Sequence, residues 1–79
     1  MRVDKFLKVS RIIKRRTVAA EACSQGRVTI NGRTAKPGSE VNPGDELKIK
    51  FGDNIRTYEI LDVSEHAPKG EAAEMYRII

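Results

Sequence analysis

Seven basic side chains crowd the first sixteen residues, at Arg2, Lys5, Lys8, Arg11, Lys14, Arg15 and Arg16, against a single acid, Asp4. From Thr17 to Ile79 the balance reverses to eight basic and ten acidic residues, so the formal net charge of +4 resides in the first fifth of the chain. Guanidinium and ammonium groups gathered at one end can hold phosphate, and phosphate contacts dominate affinity for nucleic acid. The densest knot is "SRIIKRRT", Ser10 to Thr17. A solvated helix face is the plain alternative for such a run. Other reactive side chains are sparse: one histidine, His66, one cysteine, Cys23, and no phosphate loop of the GxxxxGK type. Catalysis needs grouped titratable side chains, so no enzymatic activity, no cofactor and no metal are expected. His66 reads as an exposed loop residue, and Cys23, one turn after Ala19, as a small core residue. Tyr58 and Tyr76 could stack on bases or simply pack.

The elements that position the basic groups follow from periodicity. Val3, Phe6, Leu7, Ser10 and Ile13 recur at helical spacing and predict a first helix from about Val3 to Ile13. A second stripe, Asp4, Lys8, Arg11 and Arg15, follows at i+4, i+7 and i+11, with Arg2 and Lys5 beside its start, and Asp4 is spaced to pair with Lys8. Val18, Ala19, Ala22 and Cys23 predict a second helix, from Arg15 or Thr17 to Gln25, ended by Gly26. Lys14, Arg15 and Arg16 therefore fall where two helices meet, in a first helical turn that ordinarily favours acids. A local rule broken at an exposed position points to function, here anion binding.

Beyond Gly26 the period changes to two. "RVTINGRTA" places Val28 and Ile30 on one face before the hairpin signal Asn31-Gly32. Turns at Pro37-Gly38 and Pro43-Gly44 precede a strand from Glu46 to Phe51, with Leu47, Ile49 and Phe51 facing in and Lys48 and Lys50 facing out. Arg56 to Val63 reads as a further strand whose phase slips at Ile60-Leu61, which suggests a bulge or two-sided burial. Glu71 to Tyr76 suggests a single helical turn.

A chain of 79 residues has room for one small domain, and 39% apolar with 33% charged residues is the composition of a folded module. The lone cysteine forms no internal disulfide, and no apolar run approaches the roughly 20 residues that span a bilayer. A cytoplasmic monomer with no membrane contact is expected.

The segments "RVDKFL", a basic pair entering the second helix, "QGRVTINGR" and "VNPGDEL" occur in the order and spacing of one family. Over Arg2 to about Ile49 the chain resembles the S-four RNA-binding domain, the alpha-L module. The resemblance implies an α+β fold: two N-terminal helices packed on a small antiparallel β-sheet, a domain over residues 1–63 and a short C-terminal extension over 64–79. It implies that Arg2, Asp4, Lys5, Lys8, Arg15 and Arg16 lie on the face that grips structured RNA, and Arg11 and Lys14 join them from the charge pattern. Among small stand-alone members, the chain is similar to those of ribosome-associated quality control, relatives of the ribosome-associated heat-shock protein. That similarity implies binding to large-subunit 23S rRNA and tRNA on a split, stalled ribosome, and support of C-terminal alanine tailing by a factor of the RqcH type. The heat-shock relative's basic C-terminal extension is absent, since this end is acidic. Three alternatives remain from the sequence: a ribosome-recycling protein of the heat-shock type, a winged helix-turn-helix DNA-binding protein, and an S-four module detached from an RNA-modifying enzyme.

Overall fold

The computed structural model describes residues 1–64 and 75–79. Helix α1 spans Val3–Val9 and α2 spans Arg16–Ser24; the strands are β1 (Val28–Ile30), β2 (Arg33–Thr34), β3 (Glu46–Phe51), β4 (Asn54–Ile60) and β5 (Tyr76–Ile78). The five strands form one antiparallel sheet in the order β2-β1-β3-β4-β5. The expected α+β architecture, two N-terminal helices with a small antiparallel sheet, is the one observed.

Turn chemistry explains much of this path. Asn31 and Gly32 both take positive φ, 51° and 83°, as the two-residue turn between β1 and β2 requires. The Asn31 side chain ties that turn to β3: its Oδ1 accepts from the Glu46 amide at 2.9 Å and its Nδ2 donates to Asp45 at 3.1 Å. Gly26, at φ 73°, ends α2 as the sequence predicts. Its N–H donates to the Cys23 carbonyl and that of Arg27 to the Ala22 carbonyl, the paired bonds of a Schellman cap.

Helix α1 is shorter than its apolar stripe predicts. It stops at Val9 because Arg11 adopts φ 66°, a left-handed conformation that breaks the helical ladder. Ser10 turns back on the helix, its Oγ donating to the Leu7 carbonyl at 3.3 Å. The stripe Asp4, Lys8, Arg11 and Arg15 is thus not continuous: Arg11 and Arg15 lie in the connection between the helices. A helix of seven residues with no side-chain N-cap needs outside partners for its first N–H groups. The segment 37–39 supplies them, with Val3 donating to the Ser39 carbonyl at 2.7 Å and Asp4 to the Pro37 carbonyl at 3.3 Å.

One core joins all layers. Val3, Phe6 and Leu7 of α1 and Ala19, Ala22 and Cys23 of α2 pack with Val28, Leu47, Ile49, Tyr58 and Ile60 of the sheet. Ala35, Val41 and Met75 close its margins. Lys48 and Lys50 face solvent as expected, but Phe51 is 37% exposed. Its phase is right; it is the last residue of β3, at the edge of the core. Leu61 and Asp62 both donate to the Met75 carbonyl, two residues against one, the geometry of the bulge that the phase slip suggests. β5, inside the 64–79 segment, is an edge strand of the same sheet. His66 and most of the expected helical turn from Glu71 lie outside the described residues; its last residue, Tyr76, opens β5.

Cys23 is the core residue that the sequence predicts, 2% exposed. Burial, with the nearby Asp4 charge adding to it, pushes its thiol up from 9.0 to about 11. Above pH 9 the unfolded chain releases this proton while the folded chain keeps it, so the contribution is intact below pH 9 and lost between 9 and 11. Two units correspond to about 2–3 kcal/mol. Denaturant titrations from pH 8 to 11 are expected to show a steeper loss of stability for the wild type than for Cys23→Ala, and parallel curves would contradict it.

Candidate nucleic-acid interface

The basic residues converge on a buried acid. Asp4, in the first turn of α1, is 3% exposed, an expensive place for a carboxylate without partners. It has three. One oxygen accepts from Arg2 Nη2 at 3.0 Å; the other accepts from the Lys5 amide at 2.7 Å and from Arg16 Nη2 at 3.4 Å. Arg16 opens α2, so this pairing also pins the start of the second helix to the start of the first. The pairing of Asp4 with Lys8 that local spacing suggests gives way to these arginines.

Both guanidiniums stay half exposed, Arg2 at 52% and Arg16 at 46% of the side chain. Each uses one Nη on the carboxylate, and among the described residues its remaining side-chain N–H donors are left for another acceptor. One carboxylate cannot neutralise two guanidiniums, so the cluster keeps a net positive charge on side chains whose rotamers are restrained. A planar donor fork held in place suits a phosphate oxyanion. Arg2 is steadied on its other side, where its main chain bridges to Glu40 and its guanidinium lies beside Gly38, about 4 Å from where a Cβ would stand. Glu40 in turn accepts from the amino group of Met1 at 2.7 Å.

Of the remaining candidates, Lys5 is half-buried beside the cluster, and Lys8, Arg11, Lys14 and Arg15 are exposed. The structure therefore separates the eight residues into a fixed group, Arg2, Asp4 and Arg16, with half-buried Lys5 beside it, and four exposed cations, Lys8 on α1 and Arg11, Lys14 and Arg15 in the inter-helix connection. Asp4 organises the face from beneath and does not itself present an accessible carboxylate. Sequence reasoning missed Gly38 and Glu40, which pair with a segment almost forty residues earlier and leave no local signal. It also missed Arg56, on the rim of a groove beside Ile12. The tyrosines pack: Tyr58 is buried and meets Tyr76 edge to face at 5.3 Å. Among the described residues no group of three or more potential metal ligands occurs, and no helix is long and apolar enough to cross a membrane.

Residues 1–47 match the family model described as the S4 domain. The chain is 56% identical over 78 residues to a protein of Halalkalibacterium halodurans named "RQC P-site tRNA stabilizing factor", covering 99% of this chain and 89% of the relative. A protein of the same name from Listeria monocytogenes is 58% identical over 79 residues, covering 100% and 86%. Among solved structures, the trimeric Heat Shock Protein 15 of Vibrio cholerae superposes with a TM-score of 0.89 at 31% identity, covering 100% of this chain and 81% of that one.

Proposed function

The chain belongs to the S4 domain family, and from that membership we propose that it is a non-catalytic RNA-binding factor of ribosome-associated quality control. It resembles the stand-alone RqcP type, and near-full-length identity to two proteins named for stabilising a P-site tRNA supports this reading. In this role it binds the large ribosomal subunit that retains peptidyl-tRNA after a stalled ribosome splits. Arg2 and Arg16 grip phosphates of 23S rRNA or tRNA, with Lys5, Lys8, Arg11, Lys14 and Arg15 adding longer-range attraction. By steadying the tRNA it supports C-terminal alanine tailing by an RqcH-type factor, in the cytoplasm where the subunits are.

The observation that carries the RNA-binding part is the pair of half-exposed guanidiniums held by one buried carboxylate. A DNA-reading helix α2 is disfavoured, because Ala19, Ala22 and Cys23 point into the core and its exposed residues after Thr17 include Val18 and Glu21. The heat-shock-type reading keeps the support of the 0.89 TM-score to Heat Shock Protein 15.

Sucrose-gradient profiles of cell extract test the proposal. Wild-type protein is expected in the large-subunit fraction, with Arg2→Ala and Arg16→Ala each shifted toward the top of the gradient. A lost charge-assisted hydrogen bond of about 1.5–3 kcal/mol corresponds to roughly tenfold or more in affinity. Co-migration of both variants with large subunits at wild-type levels would remove this face from the mechanism.

A further inference from the structure

The tip of the β3–β4 hairpin projects past the core that the rest of the hairpin covers. Ile49, Tyr58 and Ile60 are buried on the core side, and Arg56 sits directly opposite Ile49, so it belongs to that same side. Asn54, two residues earlier, shares its phase. Ile55, between them, is turned to the outer face and is 66% exposed. At the tip, then, Phe51, Asn54 and Arg56 share the core-side face but lie beyond the core, where all three are exposed, as is Ile55 on the opposite face.

Arg56 and Asn54 look into a groove of about 340 Å³, which Ile12, Phe51 and Tyr58 complete. This falls within the ~300–1,000 Å³ range of small-ligand sites. Its apolar walls are a partly exposed phenylalanine ring and a half-buried isoleucine, and its rim carries a guanidinium and a carboxamide. Among the described residues the Arg56 side chain makes no hydrogen bond or ion pair. Asp53, the acid of the turn, does not line the groove. On the Ile12 side the chain continues directly into Arg11 and, two residues later, Lys14, both exposed members of the basic face.

We infer that this groove holds one unpaired nucleobase of the RNA whose phosphates the basic face grips. An aromatic ring with an aliphatic wall accepts the π-face of a heterocycle, the Arg56 guanidinium and Asn54 amide meet its donor and acceptor edge, and Arg11 and Lys14 neighbour the phosphates on either side. A free anion would not need the Phe51 ring, and an apolar peptide side chain would leave Arg56 and Asn54 buried without partners. The inference rests on the RNA-binding reading above and extends it from backbone gripping to reading of a base.

The test compares a labelled ten-nucleotide single-stranded RNA with an abasic ribose–phosphate oligomer of the same length. Wild-type protein is expected to prefer the base-bearing strand at least fivefold. Phe51→Ala and Arg56→Gln are expected to abolish that preference, whereas Arg16→Ala weakens both strands alike and keeps the ratio. Equal wild-type affinity for the two strands, or a preference that survives both groove variants, overturns the nucleobase site and leaves the basic face standing. No binding of either strand would overturn both readings.

Discussion

Asp4→Asn is expected to weaken RNA binding on the order of tenfold even though it raises the formal net charge from +4 to +5. If the basic face acted only through its summed field, removing an acid would strengthen attraction to a polyanion. The structure requires the opposite, because Asp4 accepts from both Arg2 and Arg16 and restrains two long side chains. Restraining each in advance offsets about 0.5–1.5 kcal/mol of ordering cost on binding, so freeing two corresponds to roughly fivefold to more than a hundredfold. Asparagine keeps the size and can still accept from the Lys5 amide. Binding titrations with an RNA fragment at fixed salt decide the matter: unchanged or higher affinity for Asp4→Asn would show that the arginines need no anchor.

Phe6→Ala is expected to bring the domain close to unfolding. The ring is fully buried between the helices and the sheet, and truncating such a phenylalanine costs about 3–5 kcal/mol. A domain of this size has only about 4–12 kcal/mol in total. Phe51→Ala removes the same atoms from a site 37% exposed and is expected to cost far less. Urea midpoints measure the contrast, and similar midpoints for the two variants would mean that the core does not centre on Phe6. The result bears on function because Phe6, with Val3 and Leu7, seats the helix that carries Arg2 and Asp4 at its start.

What the sequence shows clearly is what local chemistry decides. Asn31-Gly32 and Gly26 announce a tight hairpin and a helix end because few residues take positive φ, and both turns are where expected. The inward set of α1, Val3, Phe6, Leu7 and Ser10, is likewise plain from its spacing. The end of α1 is not, because arginine seldom adopts the left-handed conformation that Arg11 takes. Nor is the partner of Asp4: spacing along one helix offers Lys8, while Arg16, twelve residues away, reaches it only once the helices pack. β5 is short, and what draws it in is pairing with β4, a contact that no local pattern encodes. Arg56 was legible only as a basic residue at a strand start; its place on the inward face depends on a register that Phe51↔Asn54 sets.

Purification of the tagged protein from cells, with sequencing of the RNA that accompanies it, tests the RNA-binding face and its target together. Wild-type protein is expected to bring down large-subunit rRNA together with tRNA, and the Arg2→Ala/Arg16→Ala double variant, folded as judged by its urea midpoint, is expected to lose both. A wild-type pool without large-subunit rRNA, or equal recovery with the double variant, would contradict it.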